Sequence, residues 1–222
     1  MTDKENSHIT TIRLHDALPA VFAKMPTRPS EIWEGDVLLE KGKLYIIAAE
    51  SGTGKSSLCA YVYGARRDYS GTIFFDGEDV STFSIDHWQY LRRNSLAYLP
   101  QELDLFPELS AWQNIELKRR LTNFTPEKKV EEWLERLGIA DRRDFPIGKM
   151  SIGQQQRVGI IRALCQPFDF LWLDEPVSHL DPENNRIAAE MILEEASRQK
   201  AAVVATSVGN HLAIPDPVLL KL

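Results

Sequence analysis

The sequence feature that most constrains the fold is the stretch AAESGTGKSSL at 48–58, which lies between two regular segments. The apolar run Leu44–Ala49 predicts a buried strand, and Lys55–Arg66 predicts a helix. A strand, a glycine-containing loop and a helix bring backbone N–H groups and a helix N-terminus towards one point, where a phosphate can bind. The alternative is a glycine-containing turn beside a surface lysine, and the flanking strand and helix argue against it. We therefore predict an α/β fold built around a phosphate-binding loop.

The loop follows the pattern G-x-x-x-x-G-K-[ST] except at its first position, where the chain has Ala49. This alanine ends the strand and adds only a methyl group, so we expect the loop to form. Gly52 and Gly54 allow unusual backbone angles and close approach to a ligand. The Lys55 ammonium can reach the β- and γ-phosphates of a nucleotide, and the Ser56 hydroxyl can ligate Mg²⁺. The predicted nucleotide-binding residues here are Ala49, Glu50, Ser51, Gly52, Thr53, Gly54, Lys55, Ser56 and Ser57.

A second apolar run, Phe168–Leu173, predicts another buried strand, and it is followed by two carboxylates, Asp174 and Glu175. Ligands of open α/β sheets bind beside the carboxyl ends of the strands, so we expect both acids to face the phosphate loop. Asp174 is suited to contact Mg²⁺, directly or through water. Glu175 is suited to polarise the water that attacks a phosphate. A strand that ends in solvated acids is the alternative, and the lysine-containing loop makes it less favourable.

The rest of the chain alternates strands with helices, which predicts a mostly parallel sheet covered on both faces. From roughly residue 102 to 149, helical patterns occur without a convincing strand, so a helical insertion is expected to interrupt the α/β core. We expect Lys24–Pro29 to be a loop between edge strands. The further predicted strands are Thr72–Phe75, Ser95–Leu99 and Ala202–Thr206, and the further predicted helices are Glu127–Leu137, Gln154–Leu164 and Glu183–Gln199.

The composition of the chain argues against some classes of function. The 222 residues include 26 Lys and Arg against 32 Asp and Glu, a net charge of −6, so no nucleic-acid partner is expected. Cys59 and Cys165 lie in apolar helical patterns, which is typical of buried thiols in a reducing, cytosolic compartment. No run approaches the roughly 18 apolar residues of a membrane span, and Met1–Thr11 has no apolar signal core. If the chain serves a membrane, we expect it to act through another polypeptide.

Three further motifs can be identified in the sequence. The sequence AYLPQ at Ala97–Gln101 resembles a Q-loop, KMSIGQQQR at Lys149–Arg157 resembles the signature L-S-G-G-Q-Q-Q-R, and PVSHLD at Pro176–Asp181 resembles a D-loop. With the phosphate loop and the acidic strand they make five motifs in the order of an ATP-binding cassette (ABC) ATPase domain. The chain resembles that family from about Ile32 to its C-terminus.

The resemblance implies an α/β P-loop NTPase core, with a mostly parallel sheet, helices on both faces and antiparallel edge strands. A helical subdomain of the ABC type is inserted into it. This makes residues 1–222 a single ABC ATPase domain, with the core at about 1–101 and 155–222 and the helical subdomain at about 102–154. The implied cofactors are ATP and Mg²⁺.

The resemblance also implies a head-to-tail dimer, either a homodimer or a pair with another ABC subunit, with ATP between the two subunits. In the family, the start of the signature helix binds the γ-phosphate held by the opposite subunit. Ser151 and Gln154 also form a plausible capping box, and a helix N-terminus attracts anions on either interpretation. The resemblance assigns Ser151, Gly153, Gln154 and Asp181 to nucleotide binding, Ser56, Gln101 and Asp174 to the metal, and Glu175, Gln101 and Ser207 to catalysis.

The chain departs from the family at several positions. Ile152 replaces the first glycine of the signature, and a β-branched residue cannot approach a phosphate as closely. Ser207 stands where the family has a histidine that contacts the γ-phosphate, and His211 comes four residues too late in the sequence. Phe22 is a weak candidate for stacking on adenine, with burial as its alternative role. We expect Trp33 and Trp172 to be core or strand residues.

These observations favour an ATP-hydrolysing subunit of a transporter-like complex. It would lie in the cytoplasm, on the inner face of the cell membrane, bound to separate transmembrane subunits. The groove of the helical insertion beside Gln101 would dock a helix of that partner. A nucleotide-gated binding module with weak or no hydrolysis is a second interpretation, which Ser207 and Ile152 favour. A soluble, non-transport ABC ATPase is a third.

Overall fold

The computed structural model describes residues 8–23 and 30–222, so the predicted loop at Lys24–Pro29 lies outside the described residues. The described part forms nine strands in two sheets and six α-helices. The strands are β1 (Thr11–Pro19), β2 (Asp36–Glu40), β3 (Leu44–Ala48), β4 (Tyr69–Phe75), β5 (Glu78–Asp79), β6 (Leu96–Leu99), β7 (Phe170–Asp174), β8 (Ala202–Ser207) and β9 (Val218–Lys221). The helices are α1 (Lys55–Val62), α2 (Ile85–Asn94), α3 (Ala111–Arg119), α4 (Glu127–Arg136), α5 (Ile152–Leu164) and α6 (Pro182–Gln199).

The larger sheet has five parallel strands in the order β6-β7-β8-β3-β9. Every residue of β7 is buried, and its alternate side chains enter two different cores. Leu171 and Leu173 pack in the core that includes α5 and α6. Phe170 and Trp172 pack in the core that includes α1, so Trp172 is both a core and a strand residue, as expected. The mostly parallel sheet with helices on both faces is therefore confirmed.

The smaller sheet, in the order β2-β1-β4-β5, is antiparallel throughout. Its buried side chains, among them Leu14, Leu39 and Ile73, belong to the same core as α1. The predicted antiparallel strands thus form a separate layer that shares a core with α1. Cys59 in α1 and Cys165 at the end of α5 are both free and buried, as expected from their apolar surroundings in the sequence.

Residues 102–149 contain α3, α4 and two short 3-10 helices. Within this fully described segment, β pairing is limited to one isolated bridge between Ser110 and Pro146. Trp133 and Leu134 of α4 and Ile115 of α3 pack in the core that contains α5. The segment is therefore helical, as its sequence pattern predicted. None of the helices in residues 8–23 and 30–222 combines the length and the hydropathy needed to cross a membrane.

The structure corrects the sequence prediction at the end of helix α1 and at the edge of the parallel sheet, in each case for a physical reason. Helix α1 ends at Val62 rather than at Arg66, because Gly64 takes a left-handed φ of 70° with the Trp88 ring packed close against it. The parallel sheet also has a further strand after Ala202–Thr206, since β9 pairs with β3. Leu219 of β9 is 65% exposed, so this edge strand lacks the apolar burial pattern that identified the others.

Candidate nucleotide-binding site

Three strands of the parallel sheet bring predicted site residues to one edge. β3 pairs with β8 so that Ala48 lies opposite Ser207, and β7 pairs with β8 so that Asp174 lies opposite Thr206. Ala49 follows the end of β3, and its N–H donates to the Ser207 carbonyl at 3.2 Å. The phosphate loop, the acidic pair and Ser207 therefore start from the same carboxyl edge, which is where α/β sheets bind ligands.

The phosphate loop is shaped by two glycines and backed by two aromatic side chains. Gly52 and Gly54 have φ angles of 80° and 101°, which side-chain-bearing residues rarely adopt. A Cβ on Gly54 would lie 3.0 Å from Phe22 and 3.1 Å from Trp33. The Trp33 indole N–H donates to the Thr53 carbonyl at 2.9 Å. The buried Trp33 is thus a core residue, as expected, but it also holds the loop, a role that the sequence did not indicate.

Lys55 lies at the centre of the site and is only 5% exposed. Its ammonium donates to the Glu50 carbonyl at 2.8 Å and lies 3.4 Å from Oε1 of Glu175. Helix α1 begins at Lys55 and has no side-chain cap, so its first N–H groups remain available to an anion. The buried Lys55 ammonium and the uncapped N-terminus of α1 thus lie together at the carboxyl edge of the sheet, close to the Glu175 carboxylate.

The residues predicted to hold Mg²⁺ form a polar group that fits the ion. The Ser56 hydroxyl donates to Oε1 of Gln101 at 3.3 Å, which brings two of the three together. Asp174 accepts from the Thr206 hydroxyl at 2.6 Å through Oδ1. Its Oδ2 is buried without a hydrogen-bond partner, and a buried carboxylate oxygen requires a ligand or a donor. Mg²⁺ is commonly held by one or two protein oxygens together with substrate phosphates and waters, which suits this set.

Thr206 positions both acids, and sequence reasoning missed it. Its hydroxyl donates to Asp174 and accepts from the Glu175 N–H at 3.1 Å. Glu175 has a φ of 50°, an uncommon angle for a residue with a side chain, and this turn follows the end of β7 directly. The only sequence signal for Thr206 is its place beside β7 in the sheet, which requires the strand order. The bend of the backbone at Glu175 therefore directs its carboxylate towards the Lys55 ammonium.

The signature helix begins with the expected capping box. The Ser151 hydroxyl accepts from the Gln154 N–H at 3.3 Å, and the Gln154 side chain accepts from the Ser151 N–H at 2.9 Å. A Cβ on Gly153 would lie 2.8 Å from the His179 carbonyl, so this glycine is needed for contact with the D-loop. Ile152 is 50% exposed at the first helical position, where it presents its side chain to solvent.

Gln156 connects the signature helix to the segment after β7, which sequence reasoning also missed. This buried amide donates to the Glu175 carbonyl at 3.0 Å and accepts from the His179 N–H at 2.9 Å. Asp181 then caps α6, where the Asn184 N–H donates to it at 2.8 Å. That hydrogen bond lowers the pKa of the Asp181 carboxyl below its usual value. The predicted residues of the signature and D-loop are therefore linked to the Glu175 turn.

Ser207 and His211 are in contact, although four residues separate them in the sequence. The Ser207 hydroxyl is hydrogen-bonded to Nδ1 of His211. Ser207 is only 2% exposed, whereas the His211 side chain is exposed. The sequence places His211 four residues after the family's histidine position, and the structure brings its ring into contact with Ser207 at the end of β8.

Comparisons with known proteins agree with this architecture. A family model described as "ABC transporter" matches residues 35–178. An ABC transporter ATP-binding protein of Mycobacterium tuberculosis is 32% identical over 181 residues, covering 80% of this chain and 55% of that protein. The macrolide export ATP-binding/permease protein MacB of Nitrosomonas europaea is 33% identical over 174 residues, covering 77% of this chain and 26% of MacB. The chain thus spans 55% or less of these two relatives.

Solved structures share the fold. The dimeric structure of the bacterial ABC transporter cassette MJ0796 matches with a TM-score of 0.77 at 21% identity, over 95% of this chain and 94% of that chain. A post-hydrolysis dimer of the same cassette, bound to ADP and Pi, matches with a TM-score of 0.72 at 21% identity, over 90% of this chain and 88% of that chain. At this level of identity, the likeness establishes the common fold.

Proposed function

Because the chain belongs to the ABC transporter family, we propose that it is the ATP-binding and ATP-hydrolysing subunit of a membrane transport complex. The observation that carries this proposal is the buried Lys55, which lies between a loop carbonyl and the Glu175 carboxylate at the carboxyl edge of the sheet. A cation held there, beside an uncapped helix N-terminus, is suited to bind the β- and γ-phosphates of ATP. Residues 1–222 form one ABC ATPase domain in this proposal, with a core at about 1–101 and 155–222.

Each proposed residue has one task at the phosphates. The loop Ala49–Ser57 cradles the phosphates with its N–H groups, and Lys55 neutralises their charge. Ser56, Gln101 and Asp174 would hold Mg²⁺, which when bound would offset the negative charge of the phosphates. Glu175 accepts a hydrogen bond from the attacking water and orients it. Phe22 lies against Gly54 and packs on the core that contains α1, which supports its alternative role in burial over stacking on adenine.

The second half of the site is proposed to come from another subunit. Ser151, Gly153 and Gln154 lie at a helix N-terminus, and Asp181 caps the next helix. These residues would face the γ-phosphate bound by a second copy of this chain or by a related ABC subunit, as expected for a head-to-tail dimer. The dimeric form of the matching MJ0796 cassette supports this arrangement for the shared fold.

A transmembrane partner is proposed to dock on the helical segment at about 102–154. Leu117 and Leu121 of this segment and Phe106 near Gln101 are among the exposed large apolar side chains. Lys118, next to Leu117, is half-buried, and burial followed by the charges of Arg162 and Arg92 lowers its pKa to about 8. This segment thus offers exposed apolar side chains and, next to one of them in the sequence, a half-buried cation. The name of MacB, an ATP-binding/permease protein, supports a partner that spans the membrane, which would place this chain on the cytoplasmic face.

Phosphate release tests the proposed function. Wild-type protein with ATP and Mg²⁺ should release phosphate, and Glu175→Gln should abolish the release while ATP still binds. A wild type that binds ATP and dimerises but releases no phosphate would instead identify a nucleotide-gated binding module. A wild type that releases phosphate but is never recovered with a membrane protein from its source cells would favour a soluble, non-transport ATPase.

A further inference from the structure

A cavity of about 140 Å³ lies between the antiparallel sheet, the last turn of α1 and helix α2. Its floor is buried and mainly aromatic, and it consists of Tyr61, Val80 and Trp88. Its rim is exposed to solvent and carries charged side chains. Lys55 lies at the other end of α1, and none of the residues that line the cavity belongs to the proposed phosphate site. The cavity is therefore a separate feature of the surface.

The rim of this cavity carries one cation and one anion that lack an ion-pair partner within residues 8–23 and 30–222. The exposed guanidinium of Arg67 makes no hydrogen bond to any residue of these ranges. The half-buried carboxylate of Asp79 accepts one hydrogen bond through Oδ1, from the Ser81 N–H at 2.8 Å. Arg66, by contrast, is already paired with Asp68 at 2.5 Å. Arg67 and Asp79 are therefore the rim charges that a ligand can engage.

Tyr69 lines the cavity close to both of these charges. Its ring packs against the Tyr61 ring with the centroids 4.8 Å apart. Burial raises the pKa of the Tyr69 hydroxyl, the negative charge of Asp79 raises it further, and the positive charge of Arg67 lowers it. Both charges thus act on the same phenol, yet these two described side chains do not form an ion pair with each other. A ligand that carries both signs of charge can therefore pair with each of them.

The walls of the cavity are fixed by packing. The Trp88 ring contacts two phenylalanine rings, with its centroid 5.9 Å from that of Phe75 and 5.6 Å from that of Phe83. Gly71 of β4 lies so close to β1 that a Cβ there would be 2.1 Å from the Asp16 carbonyl oxygen. The cavity is thus formed before any ligand enters, and a preformed site loses little affinity to the ordering of its own side chains.

We propose that this cavity binds a free amino acid with an aliphatic side chain, whose carboxylate pairs with Arg67 and whose ammonium pairs with Asp79. Both contacts are charge-assisted hydrogen bonds. The aliphatic group leaves water and contacts the aromatic floor, which adds a favourable burial term. A volume of about 140 Å³ suits a branched aliphatic side chain, whereas sites for drug-sized ligands occupy about 300–1,000 Å³. A ligand with a single charge would leave one of the two rim charges without a partner.

Protein NMR with L-leucine as the probe tests this inference. Because Trp88 forms part of the floor, its indole N–H resonance, which is the one lost in Trp88→Phe, should shift as L-leucine is added. The dissociation constant should be about 0.1–1 mM, which is within reach of so small a ligand. Two analogues keep the hydrocarbon and lack one charge each: 4-methylpentanoate has no ammonium, and 3-methylbutylamine has no carboxylate. Each should bind roughly 5- to 50-fold more weakly than L-leucine, between the scales of an exposed ion pair and a charged hydrogen bond.

Two variants of the rim should give a crossed pattern of affinities. Arg67→Gln should weaken the binding of L-leucine and of 4-methylpentanoate by that factor and leave 3-methylbutylamine unchanged. Asp79→Asn should weaken L-leucine and 3-methylbutylamine and leave 4-methylpentanoate unchanged, and an asparagine can still accept the Ser81 N–H. The matched controls are Arg13→Gln and Asp36→Asn, which remove the same charges from an exposed ion pair between β1 and β2 of the same sheet. Both controls should bind L-leucine as the wild type does.

Three results would overturn the inference: no shift of the Trp88 resonance at about 10 mM L-leucine, ten times the weakest dissociation constant expected; an analogue that binds as tightly as L-leucine; or a rim variant that weakens both analogues equally. The amide resonances outside the cavity show whether each variant is folded. The inference does not rest on the proposed function, because the cavity and the phosphate site share no residue. A wild type without phosphate release would leave the titration with L-leucine unchanged.

Discussion

The Lys55 ammonium lies 3.4 Å from Oε1 of Glu175, so the lysine proposed to bind phosphate is already paired with the carboxylate proposed to orient water. Both side chains are largely buried: that of Lys55 is 5% exposed and that of Glu175 is 16% exposed. An incoming γ-phosphate competes with Glu175 for the same cation. ATP binding would therefore release the carboxylate towards the attacking water at the moment when it is needed.

The first prediction concerns Glu175→Gln. The amide keeps the shape of the side chain but cannot compete for Lys55 as an anion or polarise water. We expect ATP to bind at least as tightly as in the wild type, hydrolysis to be lost, and an ATP-bound dimer to accumulate. Light scattering after gel filtration in ATP and Mg²⁺ measures this. Glu194→Gln, at an exposed ion pair with Arg136, is the control. A monomeric Glu175→Gln variant in saturating ATP would contradict the composite site.

The second prediction concerns Lys55→Ala. Loss of the ammonium removes a charged hydrogen bond to the phosphates, so binding of ATP·Mg²⁺ should weaken by about 1.5–3 kcal/mol in isothermal titration. Lys43→Ala removes an exposed lysine that is paired with Glu40, and binding should stay at the wild-type level. Equal affinity of Lys55→Ala and wild type would refute the assignment of the phosphate site.

The third prediction concerns Thr206→Val. Valine has a similar shape but no hydroxyl, so Asp174 loses a donor and the Glu175 N–H loses its acceptor. Unpaired buried groups each cost about 1–3 kcal/mol, and the free energy of unfolding should fall by that order. Urea denaturation measures the loss. In phosphate-release assays kcat should also fall, because both acids lose their positioning. A variant with wild-type stability and kcat would show that Thr206 positions neither acid.

The fourth prediction concerns Lys118→Met. Burial lowers the pKa of Lys118 from 10.5 to about 8, so the folded protein holds this ammonium at a cost when the pH is below 8. The apolar variant should therefore raise the free energy of unfolding at pH 7 by roughly 1–3 kcal/mol. The difference should shrink as the pH rises from about 8 towards 10.5, since the folded lysine is then neutral. Lys128→Met, at an exposed position of α4, should show neither effect. A destabilised Lys118→Met at pH 7 would refute this account.

The elements with a strong apolar pattern were predictable from the sequence. The strands that precede the phosphate loop and the acidic pair differ from their predicted ranges by no more than two residues at either end. Both strands are central in the sheet, so apart from Asp174 their positions are apolar and give a clear signal. β9 was missed because it is an edge strand, paired with β3, whose side chains are mostly exposed.

The residues that support the candidate site were harder to predict. Thr206 and Gln156 are distant from Glu175 in the sequence and form hydrogen bonds to its backbone. No local sequence pattern indicates these contacts. The contact of Ser207 with His211 depends on a turn whose direction is set by Gly209 and by two asparagine side chains. The number of residues between Ser207 and His211 gives only the length of the chain that connects them. The distance between their side chains depends on the left-handed turn at Gly209, which the spacing does not reveal.

Trp33 gives the phosphate loop an intrinsic optical signal. Its indole N–H is bonded to the carbonyl of Thr53, inside the loop, and its ring lies against Gly54 at the start of the helix that carries Lys55. Indole emission depends on the strength of that hydrogen bond and on the local field. The emission of Trp33, one of five tryptophans in the chain, should therefore shift when the loop carbonyl reorients, so that a change in the total tryptophan fluorescence on adding ATP would follow occupancy of the loop in real time without any attached dye.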